Sequence, residues 1–241
     1  MAFNSQQEVF VTEYTGGVKA FNRHGKQLQN LRTVMKHPTG ISADKDDNLY
    51  VADGGNHCLF KFNREGKVVK VAGRHGSHPG ELSEPGGVTV IGEKVFVCDR
   101  ENHRVLVFNR ELEFHWSFGS WGDGDGLFKR PQNIVQDNGG NLYVTDLESD
   151  HIQVFDSKGW FLRAFQHMLK GQCGLFQSNG LLYITDCILH QVCVFRTNGD
   201  FIGSFGSPET LGKLNSPRGI AIDRDGFVYV CDHRNSRIQV F

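Results

Sequence analysis

The chain has 241 residues, enough for one large domain or two small ones, and its apolar content of 39% favours a globular protein over a disordered one. With 26 Lys and Arg against 27 Asp and Glu, the formal net charge is -1, which argues against a generally basic, nucleic-acid-binding surface. No apolar run reaches the roughly 20 residues of a membrane span, and residues 1–7 lack the charged and apolar regions of a signal peptide. We expect a cytoplasmic protein without membrane association.

In chain order, the first β-type run is Val9–Glu13, and five similar runs follow it. Each of these five ends in an aspartate: Asp53, Asp99, Asp146, Asp186 and Asp232. The steps from Glu13 along this series are 40, 46, 47, 40 and 46 residues, and a Phe stands nine residues after every aspartate. Such a period indicates a repeat architecture.

Each repeat contains four short β-type runs. The first follows a proline, as in residues 217–222, and the second ends at the acidic residue. The third alternates apolar and variable residues, as in 152–155, and the fourth follows a turn, as in 161–165. Four strands in 40 to 50 residues predict the blade of a β-propeller, with minimal helix.

Six repeats predict an all-β, six-bladed propeller that occupies residues 1–241 as a single domain. The first repeat starts at its second strand and the last stops after its third, so we count about 22 of 24 strands. These incomplete ends favour a fragment of a longer chain over an unusual closure of the ring, and both alternatives stay open. We expect the isolated domain to be monomeric.

The segment after the aspartate carries a recognisable signature. It reads Asp, a few residues, Asn-His, and then an alternating strand that ends in Phe, as in 53–62 and 99–108. Residues 232–241 keep the Asn but have Ser in the place of His, and residues 118–131 match an inter-blade connector. Over essentially its whole length the chain resembles the NHL-repeat β-propeller family, as found in tripartite-motif (TRIM-NHL) proteins.

The resemblance implies three kinds of function. NHL propellers of tripartite-motif ubiquitin ligases recruit protein substrates or partners, and some bind RNA across one face. A related propeller carries the lyase step of peptide amidation at a zinc site lined by histidines. These residues include no RING, B-box or coiled coil, so a ligase activity would have to come from elsewhere.

The five repeated aspartates are predicted to be structural. Each follows a strand and precedes a tight turn, where a carboxylate accepts hydrogen bonds from backbone N–H groups. A catalytic role would require one copy to differ from the others. No nucleophile elbow or phosphate-binding loop is present, and we predict no catalytic residues.

The eleven histidines and six cysteines suggest a metal site, but their spacing argues against one. His57, His103 and His190 stand four residues after their aspartates, on different blades, and we expect them to bond neighbouring turns or to pack between blades. No two cysteines form a CxxC pair, and Cys98 and Cys231 fill a position taken elsewhere by Ala or Thr. We therefore predict free thiols, no metal and no cofactor.

Ligand-binding candidates lie on the connectors between blades and on the turns after the second strands, because loops that vary between repeats carry function. The candidates are Arg74, His75, Arg100, Arg104, Trp121, Lys129, Arg130, Arg218, His233 and Arg234. Trp121, in a glycine-rich connector, is either an exposed anchor or a side chain folded onto its own blade.

Acidic residues are interleaved with these basic ones: Glu81, Glu84, Glu101, Asp123, Asp125, Glu148, Asp150 and Glu209. This mixture favours a non-enzymatic platform for a protein or peptide partner. RNA binding by an arc of arginines on the same loops is the alternative, because RNA recognition uses Lys and Arg beside stacking platforms.

Overall fold

A computed structural model describes residues 1–166, 169–208 and 212–241, and Glu209 lies outside them. Within these residues the chain forms 23 strands in six antiparallel sheets, with single 3₁₀ turns at Arg100–Asn102 and His233–Asn235. None of the helical segments in this part of the chain is long or apolar enough to cross a membrane. The predicted all-β, six-bladed propeller fold is confirmed, and each sheet is one blade.

Residues 1–122 form the first of two compact units and hold blades one to three. Each blade has four strands in chain order, each paired with the next. The strands are β1 (Ala2–Phe3), β2 (Val9–Glu13), β3 (Gly17–Phe21), β4 (Gln27–Arg32), β5 (Pro38–Ala43), β6 (Leu49–Asp53), β7 (Cys58–Phe62), β8 (Val68–Ala72), β9 (Pro85–Ile91), β10 (Lys94–Asp99), β11 (Arg104–Asn109) and β12 (Phe114–Phe118).

Residues 123–241 form the second compact unit and hold blades four to six. Blades four and five have four strands each, and blade six has three. The strands are β13 (Pro131–Gln136), β14 (Leu142–Asp146), β15 (His151–Phe155), β16 (Phe161–Gln166), β17 (Gln172–Ser178), β18 (Leu181–Asp186), β19 (Gln191–Arg196), β20 (Phe201–Phe205), β21 (Pro217–Ile222), β22 (Val228–Asp232) and β23 (Arg237–Val240). A single domain over 1–241 stays a prediction.

The predicted strand count is wrong by one. The first blade has an inner strand, β1, in which Ala2 pairs with Phe10 and Phe3 with Val9. The sequence does not announce this strand, because it is two residues long and lacks the proline-led run that opens the other blades. The absence of an outer strand from blade six, within the described residues, is as predicted.

The two middle strands of a blade carry most of its core. Every residue of β6 and β7 is buried, whereas the outer strand β8 is exposed along most of its length. A strand covered on both faces is apolar along its whole length, which is why the runs that end at aspartate do not alternate. The middle strands therefore fix each blade and place the turn between them.

The inner strands of neighbouring blades approach each other closely. A Cβ added to Gly40 would lie 2.5 Å from the carbonyl oxygen of Gly86, and one added to Gly174 would lie far inside van der Waals contact with the carbonyl oxygen of Arg218. Thr39 donates a hydrogen bond of 2.8 Å from its hydroxyl to the carbonyl of Pro85 across the same boundary. Glycine is required at Gly40 and Gly174 because only a residue without Cβ permits this approach.

Candidate functional site

The connector that enters a blade and the turn between its second and third strands lie at one edge, which we call the connector edge. The aspartate at the end of the second strand joins the two. Asp53 accepts backbone N–H bonds from Lys36 and His37, both 2.9 Å, and Asp146 accepts them from Lys129 and Arg130, at 2.7 and 2.9 Å. Asp99, Asp186 and Asp232 each accept one from their own connector, at 2.6 to 2.7 Å, and all five are at most 2% exposed.

In blade three the side chains after the aspartate close the turn. Asn102 and Arg104, three and five residues after Asp99, donate hydrogen bonds of 2.7 and 2.9 Å to its carboxylate. The Arg104 guanidinium also donates to the connector carbonyls of Ser77, His78 and Glu81. Arg104, predicted as a ligand contact, is therefore engaged within its own blade, with its side chain 15% exposed.

Blade six has the same arrangement, but its arginine is more exposed to solvent. Asn235 and Arg237 donate to Asp232 at 2.7 and 2.8 Å, and the Arg237 side chain is half exposed.

Burial raises the pKa of Asp99 and outweighs its hydrogen bonds. At Asp232 burial also acts upward, but the bonds from Asn215, Asn235 and Arg237 hold the pKa below its usual range.

In blade five the two bonding positions hold other residues. Leu189 and Gln191 stand three and five residues after Asp186, so its carboxylate accepts backbone N–H bonds from Ile188 and Leu189, at 2.9 and 2.8 Å, instead of side-chain ones. The side chains of Ile188 and Leu189 face solvent, and Ile188 is 59% exposed. This turn presents apolar surface at the connector edge.

Two histidines of the repeat join neighbouring blades. The Nδ1 atom of His57 accepts the backbone N–H of Glu84 at 3.0 Å, and that of His190 accepts the N–H of Ser216 at 2.9 Å. Glu84 and Ser216 each immediately precede the first strand of the next blade. Both histidines are thus in the neighbouring-turn arrangement that the sequence predicts.

Several predicted basic candidates have acidic partners close by. Arg74 donates from Nε to Glu81 at 2.8 Å while most of its side chain is exposed. The Nζ atom of Lys129 lies 2.5 Å from Asp123, and this hydrogen bond raises the pKa of the lysine. Positive charge on these connectors is therefore locally balanced, as the interleaved sequence suggests.

Three candidates in blade six are brought together. Partial burial lowers the pKa of His233, and the positive charges of Arg218 and Arg234 lower it further, which places both guanidinium groups within its electrostatic reach. All three side chains are exposed. They form the clearest basic cluster among the predicted residues.

The remaining predicted candidates differ in exposure. Trp121 is 71% exposed and is therefore not folded onto its own blade, and its role as an anchor stays a prediction. His75 is exposed, with its ring centroid 4.5 Å from that of His57. Arg100 and Arg130 are half-buried.

Sequence reasoning missed an aromatic pair on the first unit. Tyr14, 72% exposed in the turn of blade one, stacks on His37 with ring centroids 4.4 Å apart and planes at 12°. Val34, in the adjoining connector, is also exposed. This repeat departs from the Asp-Asn-His pattern, and that departure could have indicated the pair. A turn that lacks the bonding side chains can present other side chains to solvent.

A cavity of about 480 Å³ lies at the connector edge of blade four. It is lined by residues that include Lys129, Glu148, Ser149, His151 and Lys170. The hydroxyl of Ser149 and Nδ1 of His151 are 2.8 Å apart, in the place where blade three has its Asn and Arg. The mixed charges suit a polar ligand.

Among residues 1–166, 169–208 and 212–241, no group of three His, Cys, Asp or Glu side chains is arranged to hold a metal ion. A zinc-dependent lyase, the third alternative from the sequence, would need such a ligand set, and this part of the chain contains none.

Comparison with known proteins begins with a family model described as "NHL repeat", which matches residues 35–62, 82–108 and 214–241. The chain is 32% identical to the B-box type zinc finger protein ncl-1 of Caenorhabditis elegans, in an alignment that covers 90% of this chain and 28% of that protein. It is 30% identical over 160 residues to the protein brain tumor of Drosophila melanogaster, covering 64% and 14%.

An enzyme is also among the relatives. Peptidyl-glycine alpha-amidating monooxygenase B of Xenopus laevis is 29% identical over 224 residues, covering 83% of this chain and 25% of that protein. The chain thus spans 14% to 28% of the length of these curated relatives.

Solved structures share the fold. Virginiamycin B lyase of Staphylococcus aureus superposes with a TM-score of 0.72 at 14% identity, covering 99% of this chain and 82% of that one. A gluconolactonase of Xanthomonas campestris gives a TM-score of 0.75 at 16% identity, covering 95% and 80%. At these identities the likeness concerns the fold alone, because one fold hosts many functions.

Proposed function

Since this chain belongs to the NHL-repeat family of β-propellers, we propose that it is a non-enzymatic platform that holds a protein or peptide partner on the connector edges of its blades. The names of two relatives, a B-box type zinc finger protein and a RING finger protein, suggest partner recruitment in a tripartite-motif-like ubiquitin-ligase system. A cytoplasmic location and a monomeric isolated domain stay predictions.

The observation that carries the proposal is apolar exposure at the connector edges. Ile188 and Leu189 project from the turn of blade five, and Tyr14, Val34 and Trp121 are exposed in the first unit. Large exposed apolar side chains rimmed by charges mark protein-binding surfaces, and aromatic and arginine anchors dominate their affinity. The platform is therefore proposed from side chains that the blades do not need for their own packing.

The proposed contact set differs from the sequence prediction by one residue removed and three added. Arg104 is left out, because its guanidinium is engaged by Asp99 and connector carbonyls. Ile188, Leu189 and Tyr14 are added. The other predicted candidates are retained: Arg74, His75, Arg100, Trp121, Lys129, Arg130, Arg218, His233 and Arg234.

A display library of random peptides, selected on the full chain, tests the proposal. We expect enriched peptides whose binding falls at least tenfold in Ile188→Ser/Leu189→Ser or in Trp121→Ala, since central apolar anchors contribute about 2 kcal/mol or more. Leu162→Ser, on an exposed outer strand, is the matched control and should bind normally. Failure to enrich any peptide, or equal binding by all variants, would contradict the proposal.

RNA binding is the second candidate, and one observation favours it. Arg218, His233 and Arg234 are exposed at the connector edge of blade six, and both arginine charges act on His233, a combination that can bind phosphates or stack on bases. The Tyr14–His37 pair offers a further stacking surface in the first unit.

A pool of randomised short RNA separates the two candidates. RNA binding predicts affinity that falls steeply between about 50 mM and about 200 mM salt, and that is lost with Arg218→Glu. A peptide platform predicts weak salt dependence and no selective enrichment of RNA sequences.

A further inference from the structure

Two cysteines meet at the connector edge of blade five. Cys173 lies in the inner strand β17, and Cys187 directly follows the end of the neighbouring strand β18. The pairing register places Gln172 opposite Asp186 and Gly174 opposite Thr185, with a β-bulge between them at Cys173. The backbone N–H of Cys187 donates to the carbonyl of Gly171 at 2.9 Å, so the two segments that carry the cysteines are held together.

The strand register sets the two thiols beside each other, and each perturbs the pKa of the other. Gly171 makes room for this contact. A Cβ at that position would lie 2.8 Å from Sγ of Cys187. The equivalent position, one residue before the proline of the four other proline-led runs, holds His37, Glu84, Arg130 and Ser216, so blade five differs at the residue that admits the sulfur.

The two sulfur atoms differ in access and charge. Cys173 is buried, whereas Cys187 is half-exposed. Its interaction with Cys173 lowers the pKa of Cys187; burial and Asp186 oppose this effect, and the positive charge of Arg218 adds to it. Cys187 is therefore the accessible thiol, and its surroundings favour the thiolate, which is the reactive form.

The other cysteines lack this combination. Burial raises the pKa of Cys58 and Cys193 to about 12, and it also raises that of Cys231. Cys98 is fully buried. Cysteines in such surroundings are inert as nucleophiles.

We propose that Cys173 and Cys187 are a redox modification site, which forms a reversible disulfide when the protein meets a hydroperoxide. The Cys187 thiolate attacks the peroxide oxygen, the O–O bond breaks, and a sulfenic acid forms with release of water or alcohol after proton uptake. The Cys173 sulfur then attacks the Cys187 sulfur, gives up its proton, and displaces the hydroxyl group as water. Two thiols are oxidised, one peroxide is reduced, and a dithiol reductant reverses the bond by exchange.

This site is independent of the partner-binding proposal, although it shares an edge with it. Cys187 immediately precedes Ile188 and Leu189, so the disulfide would tie the inner strand to the turn that presents these side chains.

Mass spectrometry on the full chain tests the site. The protein is treated with hydrogen peroxide, and its remaining thiols are alkylated before digestion. Trypsin releases residues 171–196 as one peptide, because no Lys or Arg lies between Lys170 and Arg196. We expect this peptide to lose two hydrogen atoms and to keep one alkylated cysteine, Cys193. Chymotryptic cleavage after Phe176 and Tyr183 should leave the segments around Cys173 and Cys187 linked, and dithiothreitol should separate them.

Variants make the outcome decisive. Cys187→Ser should abolish the linkage, and Cys173→Ala should stop the reaction at a sulfenic acid on Cys187 that a dimedone-type reagent captures. Cys231→Ala is the matched control and should keep the linkage. Full alkylation of Cys173 and Cys187 after peroxide treatment, a linkage that uses Cys193, or sulfinic acid on Cys187 without a disulfide in the unsubstituted protein would each overturn the proposal.

Discussion

The turns of blades three and five both follow the repeated aspartate, but their side chains are arranged differently. In blade three, Asn102 and Arg104 bond the carboxylate of Asp99 and tie it to the connector. In blade five, Leu189 and Gln191 stand at those positions, and the turn leaves Ile188 and Leu189 in solvent. We call the first a hydrogen-bonded turn and the second an exposed turn.

The comparison separates two tasks within one repeat. The aspartate alone joins connector and turn, since Asp186 accepts its N–H bonds without help from side chains. The residues three and five positions later decide whether the turn bonds itself or presents side chains to a partner. Functional side chains are therefore to be sought in the repeats that depart from the Asp-Asn-Arg pattern.

The largest expected effect is at the hydrogen-bonded turn. Arg104→Ala leaves a fully buried Asp99 carboxylate without its cation, and we expect a loss of about 3–5 kcal/mol in the free energy of unfolding. Urea denaturation checks this value. Arg64→Ala, which removes an exposed ion pair with Glu65, is the control and should change stability by less than about 1 kcal/mol. Equal losses in the two variants would break the comparison.

A smaller loss is expected at the half-exposed copy in blade six. Arg237→Ala should cost about 1 kcal/mol at neutral pH, because solvent replaces part of the lost interaction with Asp232. Since the folded state lowers the pKa of Asp232 below its usual value of 3.8, its stabilisation is complete above that value and is lost as the pH falls through the lowered pKa. The denaturation curves of the unsubstituted protein and of Arg237→Ala should therefore converge in acid. A difference that grows on acidification would contradict this assignment.

Two substitutions can convert the exposed turn into a hydrogen-bonded turn. Leu189→Asn with Gln191→Arg restores the residues of blade three around Asp186, and we expect a gain of about 1 kcal/mol from the new charge-assisted bonds. Thermal and urea denaturation measure the gain. A loss of stability would show that blade five lacks the connector carbonyls that the arginine needs.

The smallest stability effect is expected for Ile188→Ser with Leu189→Ser. Both side chains are exposed and lie outside the described core clusters around Leu175 and Val192, so the free energy of unfolding should change by less than about 0.5 kcal/mol. The same urea measurement checks it. A loss of 2 kcal/mol or more would mean that these residues support the blade rather than a partner.

Much of the fold was predictable because the repeat is regular. The runs that end at Asp53 or Asp186 announce the buried second strand, and their spacing gives the number of blades. The two-residue strand β1 was not predictable, since its pairing with β2 depends on the fold and not on a pattern of its own.

The candidate site was predictable only in part. The sequence places Arg104 and Trp121 on the same class of loop, but hydrogen bonds that cross from turn to connector decide that one is engaged and the other exposed. The stacking of Tyr14 on His37 and the contact of Cys173 with Cys187 likewise join segments that are distant in sequence. Local patterns do not contain such contacts.

The most direct test of the account is the affinity of library-selected peptides for the unsubstituted chain and for Leu189→Asn/Gln191→Arg. We predict that the substituted protein stays folded, with equal or higher thermal stability, and loses at least tenfold in peptide affinity because its turn no longer presents the apolar pair. Unchanged affinity in a folded variant would contradict the claim that the exposed turn of blade five binds the partner.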